Sequence, residues 1–121
     1  MLVTIYLVYK KGVYMNGGYQ MIDLSGINFT TDADGSEVTD EEFKKKFIDV
    51  CASGKPVLVY GFRGFHGPNF GSVLGASSGY QLSVQTTVNA NDNSVWTYML
   101  WYNPATDKLT AYSRNLKFVT A

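Results

Sequence analysis

Apolar and polar positions alternate strictly over much of the second half of the chain. Tyr80, Leu82, Val84 and Val88 interleave with Gln81, Ser83, Gln85 and Thr87 at a period of two, which marks a strand with two different faces. Asn91-Asp92-Asn93 then supplies turn chemistry. Residues 94–102 return antiparallel, residues 103–107 hold a Pro-containing turn, and residues 108–118 come back once more. Upstream, residues 57–62 form a short apolar strand, residues 19–24 another, and residues 27–30 are a further strand candidate. One stretch changes period. Phe43, Phe47, Val50 and Cys51 recur at helical spacing with Ile48 at their margin, predicting a helix over about 40–53 with one apolar face.

The helix carries its own boundary signals. Thr39 followed by Glu42 has the spacing of a capping box, flanked by Val38 and Phe43 as a hydrophobic staple. Asp40, Glu41 and Glu42 occupy the first turn, where the helix dipole favours anions, and Lys44, Lys45 and Lys46 follow at i+4. Ser53-Gly54 and then Pro56 end it. Strands, one helix, then hairpin-connected strands predict an α+β domain: a mostly antiparallel meander with the helix on one face. A small β-barrel or roll plugged by the helix is the alternative. The 121 residues suit a single domain.

At the N-terminus, the longest apolar run covers residues 2–9, far short of the roughly 20 residues a membrane helix needs. Lys10 and Lys11 follow that run, whereas a secretory leader would carry its basic residues in front, so the expectation is retention in the cytoplasm of the producing cell. Residues 1–14 read as an edge strand. The alternative is a native start at Met15, because residues 10–15 back-translate to an A-rich run, GGAG, a spacer and ATG, which resembles a bacterial ribosome-binding site.

Ten basic residues balance ten acidic ones, so no global field draws the chain to nucleic acid or to an anionic membrane. The balance is nevertheless divided along the chain. Residues 1–43 hold two Lys against seven acids, and residues 44–121 hold eight basic residues against three acids. If folding kept these apart, the dipole would favour head-to-tail packing of identical subunits.

Candidate chemistry is sparse. One Cys and one His make neither an internal disulfide nor a Cys/His zinc cage. Cys51 falls on the buried helix face, and His66 lies in Gly64-Phe65-His66-Gly67-Pro68-Asn69-Phe70 with no carboxylate between residues 64 and 91. Residues 32–37 resemble the start of an EF-hand calcium loop. However, the sixth and twelfth positions counted from Asp32 are Glu37 and Phe43, where that loop needs Gly and a bidentate Glu. Most acids crowd the helix start, which does not suit paired carboxylates in a cleft. The glycines between residues 61 and 79 match neither phosphate-binding spacing. The expectation is a protein that is not an enzyme and takes no cofactor and no metal.

The more informative feature is missing charge. Residues 64–91 contain no Asp, Glu, Lys or Arg, and residues 64–106 contain only Asp92. Interface cores are depleted in charge and enriched in aromatics, so a long Gly-rich surface loop followed by an aromatic strand predicts a contact surface. Its candidate residues are His66, Asn69, Phe70, Trp96, Tyr98, Trp101 and Tyr102. Trp96, Tyr98, Leu100 and Tyr102 share one face of their strand, and Val95, Thr97, Met99 and Trp101 the other. One face meets the helix; the other needs cover from a loop, a second sheet or another subunit.

Tyr19-Gln20-Met21-Ile22-Asp23-Leu24-Ser25-Gly26-Ile27-Asn28-Phe29-Thr30, the acidic capped helix, Gly54-Lys55-Pro56-Val57-Leu58-Val59 and a meander with Asn103-Pro104-Ala105-Thr106-Asp107-Lys108-Leu109 together resemble small virion-structural proteins of tailed bacteriophages and prophages. The resemblance covers residues 19–119 and carries over no catalytic residue. It implies a head or tail appendage found in the virion, or in the host cytoplasm during assembly. Apart from the resemblance, a monomer too small to cover both faces of the aromatic strand is expected to associate with copies of itself or, within a particle, with other virion proteins, and the charge balance leaves no expectation of nucleic acid or membrane insertion. The alternative function is a glycan-binding module, in which exposed Trp96 or Trp101 would stack on the rings of a cell-surface glycan, and the third is a small enzyme in which His66 approaches an acid in a cleft.

Overall fold

The computed structural model describes residues 18–61 and 69–118. The predicted strand at residues 2–9, the Met15 start and His66 lie outside them. The described chain is α+β: one helix packed on a curled, mostly antiparallel seven-stranded sheet that forms a half-barrel. The strands are β1 (Gln20–Asp23), β2 (Ser36–Glu37), β3 (Val57–Tyr60), β4 (Asn69–Ala76), β5 (Gly79–Gln85), β6 (Ser94–Asn103) and β7 (Lys108–Lys117), with α1 (Glu41–Ala52) between β2 and β3. Their order across the sheet is β1-β3-β4-β5-β6-β7-β2.

The expected meander is present, with β5, β6 and β7 pairing antiparallel in sequence order. Three features differ from expectation. Residues 27–30 form no strand, and only Thr30 makes an isolated bridge, to Tyr112. β1 and β3 pair in parallel, because the chain crosses the sheet through α1 between them. Residues 69–76, expected within a Gly-rich loop, form β4.

Glycine is compatible with that strand because neighbours fill its space. A Cβ on Gly71 would lie 2.5 Å from a methyl of Leu82, and one on Gly75 would lie 3.1 Å from the Tyr80 ring. Both glycines therefore sit where cross-strand side chains lean over the backbone.

The helix start also differs. Asp40, rather than Thr39, caps it: Oδ1 of Asp40 accepts from the backbone N–H groups of Glu42 at 3.0 Å and Phe43 at 3.2 Å. Val38 and Phe43 both pack against the core, and Gly54 follows the helix with φ 73° as the left-handed terminator. The buried face is Phe47, Val50 and Cys51, as the spacing predicts, plus Lys44. These side chains meet Ile22, Val57, Val59, Leu82, Val84, Leu100, Leu109 and Ala111 from the inner face of the sheet.

Among the described residues, part of the acidic N-terminal half lies against the basic C-terminal half. The acidic segment 32–37 folds onto β7, where Nη2 of Arg114 donates to the Ala33 carbonyl at 3.4 Å and Glu37 pairs with Thr110. No helix among the described residues is long and apolar enough to cross a membrane.

Candidate functional site

Strand alternation sends the candidate residues to two different surfaces. On β6, Trp96, Tyr98 and Tyr102 share the inner face with buried Leu100, whereas Trp101 stands on the outer face. On β4, half-buried Asn69 is inward and Phe70 outward, since Asn69 pairs with Val59 and Phe70 with Leu58. The candidate residues therefore fall into two patches, one on each side of the sheet, with Trp101 apart from Trp96, Tyr98 and Tyr102 as the alternation along β6 predicts.

The inner patch is an aromatic groove. Trp96 and Tyr98 hold their rings nearly parallel, 23° apart with centroids separated by 6.3 Å. Phe29 meets Tyr98 edge-on at 5.4 Å and 78°, a favourable quadrupole geometry that fixes the Tyr98 ring. Beside them opens a cavity of about 320 Å³ between residues 24–29, Gly61 and Tyr98. The loop that forms its wall is held at its base. Asp23 Oδ1 accepts from the Ser25 backbone N–H at 2.9 Å, which holds the Asp23 carboxyl below the usual carboxylate range, and Leu24 N–H donates to the Tyr60 carbonyl at 2.8 Å.

The outer patch is apolar and lies towards one edge of the sheet. Met21, Leu58 and Phe70 are register partners across β1, β3 and β4, so they form one row. Tyr60 and Leu74 extend it along the strands. Phe70 is 61% exposed and Leu74 69%. The helix packs on the opposite face, against the inward residues of β1, β4 and β5.

Tyr102 belongs to neither patch in a functional sense, because a polar cluster engages its hydroxyl. Tyr102 Oη donates to Asp107 Oδ1 at 2.8 Å, and Lys44 Nζ donates to Asp107 Oδ2 at 3.1 Å and to the Asp107 carbonyl at 3.0 Å. Glu41 Oε2 lies 3.1 Å from the same ammonium. Lys44 thus pairs at i+3 and with the β6–β7 turn, not with Asp40. Asp107, in the left-handed region at φ 56°, ties helix to turn. The Tyr102 hydroxyl and then the Lys44 ammonium hold the Asp107 carboxyl low, and Asp107 in turn raises both Tyr102 and Lys44.

These directions fix a pH dependence. A lowered carboxyl adds stability above its unfolded value of about 3.9 and loses it as pH falls through the lower folded value; raised Tyr and Lys add stability below about pH 10 and lose it as pH rises through their folded values. Melting temperature against pH should show a plateau between these limits, and Asp107→Asn should flatten its acid limb. An unchanged acid limb in that variant would show that the Asp107 carboxylate contributes nothing to the tie beyond what its backbone carbonyl gives Lys44.

Cys51 is buried, and burial pushes its thiol up to about 12, which leaves it a small hydrophobe and not a nucleophile at neutral pH. Asp32 and Gly35 form a turn, with Gly35 N–H on the Asp32 carbonyl at 3.1 Å, leading into β2. Among the described residues no three His, Cys, Asp or Glu side chains converge as metal ligands.

Searches of protein-family models, curated proteins and solved structures returned no match. Function is therefore read from the two patches. Sequence reasoning missed Phe29, Asn28 and Ser25 at the groove, whose loop is joined to Tyr98 only by folding. It also missed Met21, Leu58 and Leu74, whose common face depends on the parallel register of β1 with β3 and on β4 being a strand.

Proposed function

We propose that this chain is a non-enzymatic structural protein that works by association with copies of itself, in the setting its resemblance implies: the head or tail appendage of a phage-type particle, in the virion or in the host cytoplasm during assembly. The observation that carries the reading is the outer row Met21, Leu58 and Phe70, with Tyr60 and Leu74 beside it, on the face opposite the helix. Large apolar side chains grouped on a sheet face cost free energy in water and mark contact surfaces.

A second copy suits this face better than a charged partner. Outward residues Ser72, Gln81, Ser83, Met99 and Trp101 continue the surface across β4, β5 and β6 without a charge. Charged positions of this face, Asp23 opposite Tyr60 on β1 and Arg114 opposite Thr97 on β7, lie to either side of that neutral middle, over which two copies can meet. Sheets pack in this way at a spacing of about 10 Å, and a stable pair needs about 800 Å² from each partner. The neutral surface beside the row would join such a contact.

Sedimentation velocity tests the reading. The wild-type chain should sediment as a dimer or larger particle at about 100 µM, a concentration well above the Kd of a specific homodimer. Phe70→Glu and Leu74→Glu, introduced singly, should shift it to the 13.4 kDa monomer. Both side chains are exposed, so thermal stability should change by less than about 0.5 kcal/mol. A wild-type monomer at that concentration would overturn the proposal.

A further inference from the structure

We infer that the inner groove beside Trp96 is a second, independent site that binds a neutral pyranose ring of an oligosaccharide. It lies on the face of the sheet opposite the apolar row, so it does not depend on self-association. Three properties of the groove select the ligand.

The first is an aromatic platform. Trp96 is 36% exposed, and its ring runs nearly parallel to that of Tyr98, which Phe29 locks from the side. A ring held in place loses little entropy when a ligand stacks on it. Trp96 combines a large apolar face with a polar edge, which suits a ligand that is itself apolar on its faces and polar around its rim.

The second is neutrality. Among the described residues, none of those lining the adjoining cavity, Leu24 to Phe29 with Gly61 and Tyr98, is charged. A phosphate or carboxylate would find no cation among them, and a buried ion without a partner is costly.

The third is polar lining. Ser25, Asn28 and the backbone of Gly26 and Gly61 contribute donors and acceptors beside Leu24 and Ile27. Asn28 Nδ2 makes one long bond, 3.4 Å, to Ser36 Oγ, so its amide is not committed to a strong internal partner. Asn115 stands opposite Trp96 on β7 and brings a second amide to the platform. A purely apolar ligand would leave these groups unpaired, whereas a ring of hydroxyls would pair with them.

The cavity volume, about 320 Å³, is at the lower end of small-molecule sites, which run from about 300 to 1,000 Å³. It suits one or two sugar rings with the remainder of the oligomer lying across Trp96. Gluco-configured β-1,4-linked rings are suitable probes, because their equatorial substituents leave flat C–H faces to stack on an indole.

The test is isothermal calorimetry, with tryptophan fluorescence in parallel, using cellotriose and chitotriose up to about 10 mM, a range that detects Kd values as weak as about 1 mM. Saturable binding of at least one trisaccharide is expected, with a change in indole emission. Trp96→Ala should weaken it at least tenfold. Asn28→Ala should weaken it about threefold and guards against a Trp96→Ala chain that fails to fold. Trp101→Phe, on the other face, should bind as wild type. No saturable binding by either sugar, equal loss in the Trp101 variant, or binding of oligothymidylate in place of sugar would overturn the inference.

Discussion

Phe47→Ala is expected to destabilise the domain by about 3–5 kcal/mol, the range for deleting a buried aromatic ring from a core. Phe47 has no exposed surface and is the largest fully buried side chain. It enters from α1, the only helix among the described residues, and meets the inner face of the sheet. A domain of this size is stable by about 5–15 kcal/mol, so the loss removes a large part of the total. Melting temperature should fall by about 10–20 °C. Ile48→Ala is the matched comparison: Ile48 is half-buried at the margin of the same face, and its truncation should cost less than half as much. Equal losses in urea unfolding of the two variants would mean that the core is not centred on Phe47.

The contrast between Phe47 and Ile48 was legible in the sequence, because helical spacing alone puts one at the centre of the apolar face and the other at its edge. So were β5, β6 and β7, whose alternation and turn residues sit close together along the chain. What depends on distant residues was not legible. Lys44 follows an acidic turn and looks like a solvated helix lysine, yet it is buried because Asp107 and Glu41 meet its ammonium. Nothing local to residue 44 announces a turn 63 positions away. Asp40 displaced Thr39 as cap, although both residue types are good caps and their spacing to the apolar face differs by one position.

The candidate site followed the same division. Alternation placed Trp96 and Tyr98 together and Trp101 on the opposite face, as the structure has them. Phe70 could not be assigned a face while its segment read as a loop. The glycines that gave that impression, Gly71 and Gly75, are where Leu82 and Tyr80 need room. Glycine content therefore reported close packing of β4 on β5 as much as chain freedom, and only the partner strand distinguishes the two.

That packing makes the end of the β4–β5 hairpin the most sensitive backbone position in the sheet. Gly79 closes the hairpin opposite Ala76 at φ 137°, a conformation side chains rarely adopt. A Cβ there would run into the Tyr102 carbonyl and lie 2.9 Å from the Trp101 ring. Gly79→Ala thus combines backbone strain, about 1–3 kcal/mol, with overpacking of about the same size, and the obstacle is main chain that cannot rotate away. The expected cost is about 3–5 kcal/mol. Gly54→Ala isolates the first of these effects: Gly54 has φ 73° and a methyl added to it would meet nothing within 4 Å, so only the left-handed cost of about 1–2 kcal/mol applies. The two variants should also differ in kind. Trp101 packs over residue 79, so indole emission should shift in Gly79→Ala and not in Gly54→Ala. Because β4 also presents Phe70 and Leu74, disturbing its hairpin should weaken self-association, which Gly54→Ala should leave intact. Equal unfolding free energies and unchanged emission in both variants would show that the hairpin end yields without strain, and that β4 is not held rigidly enough to present a defined contact face.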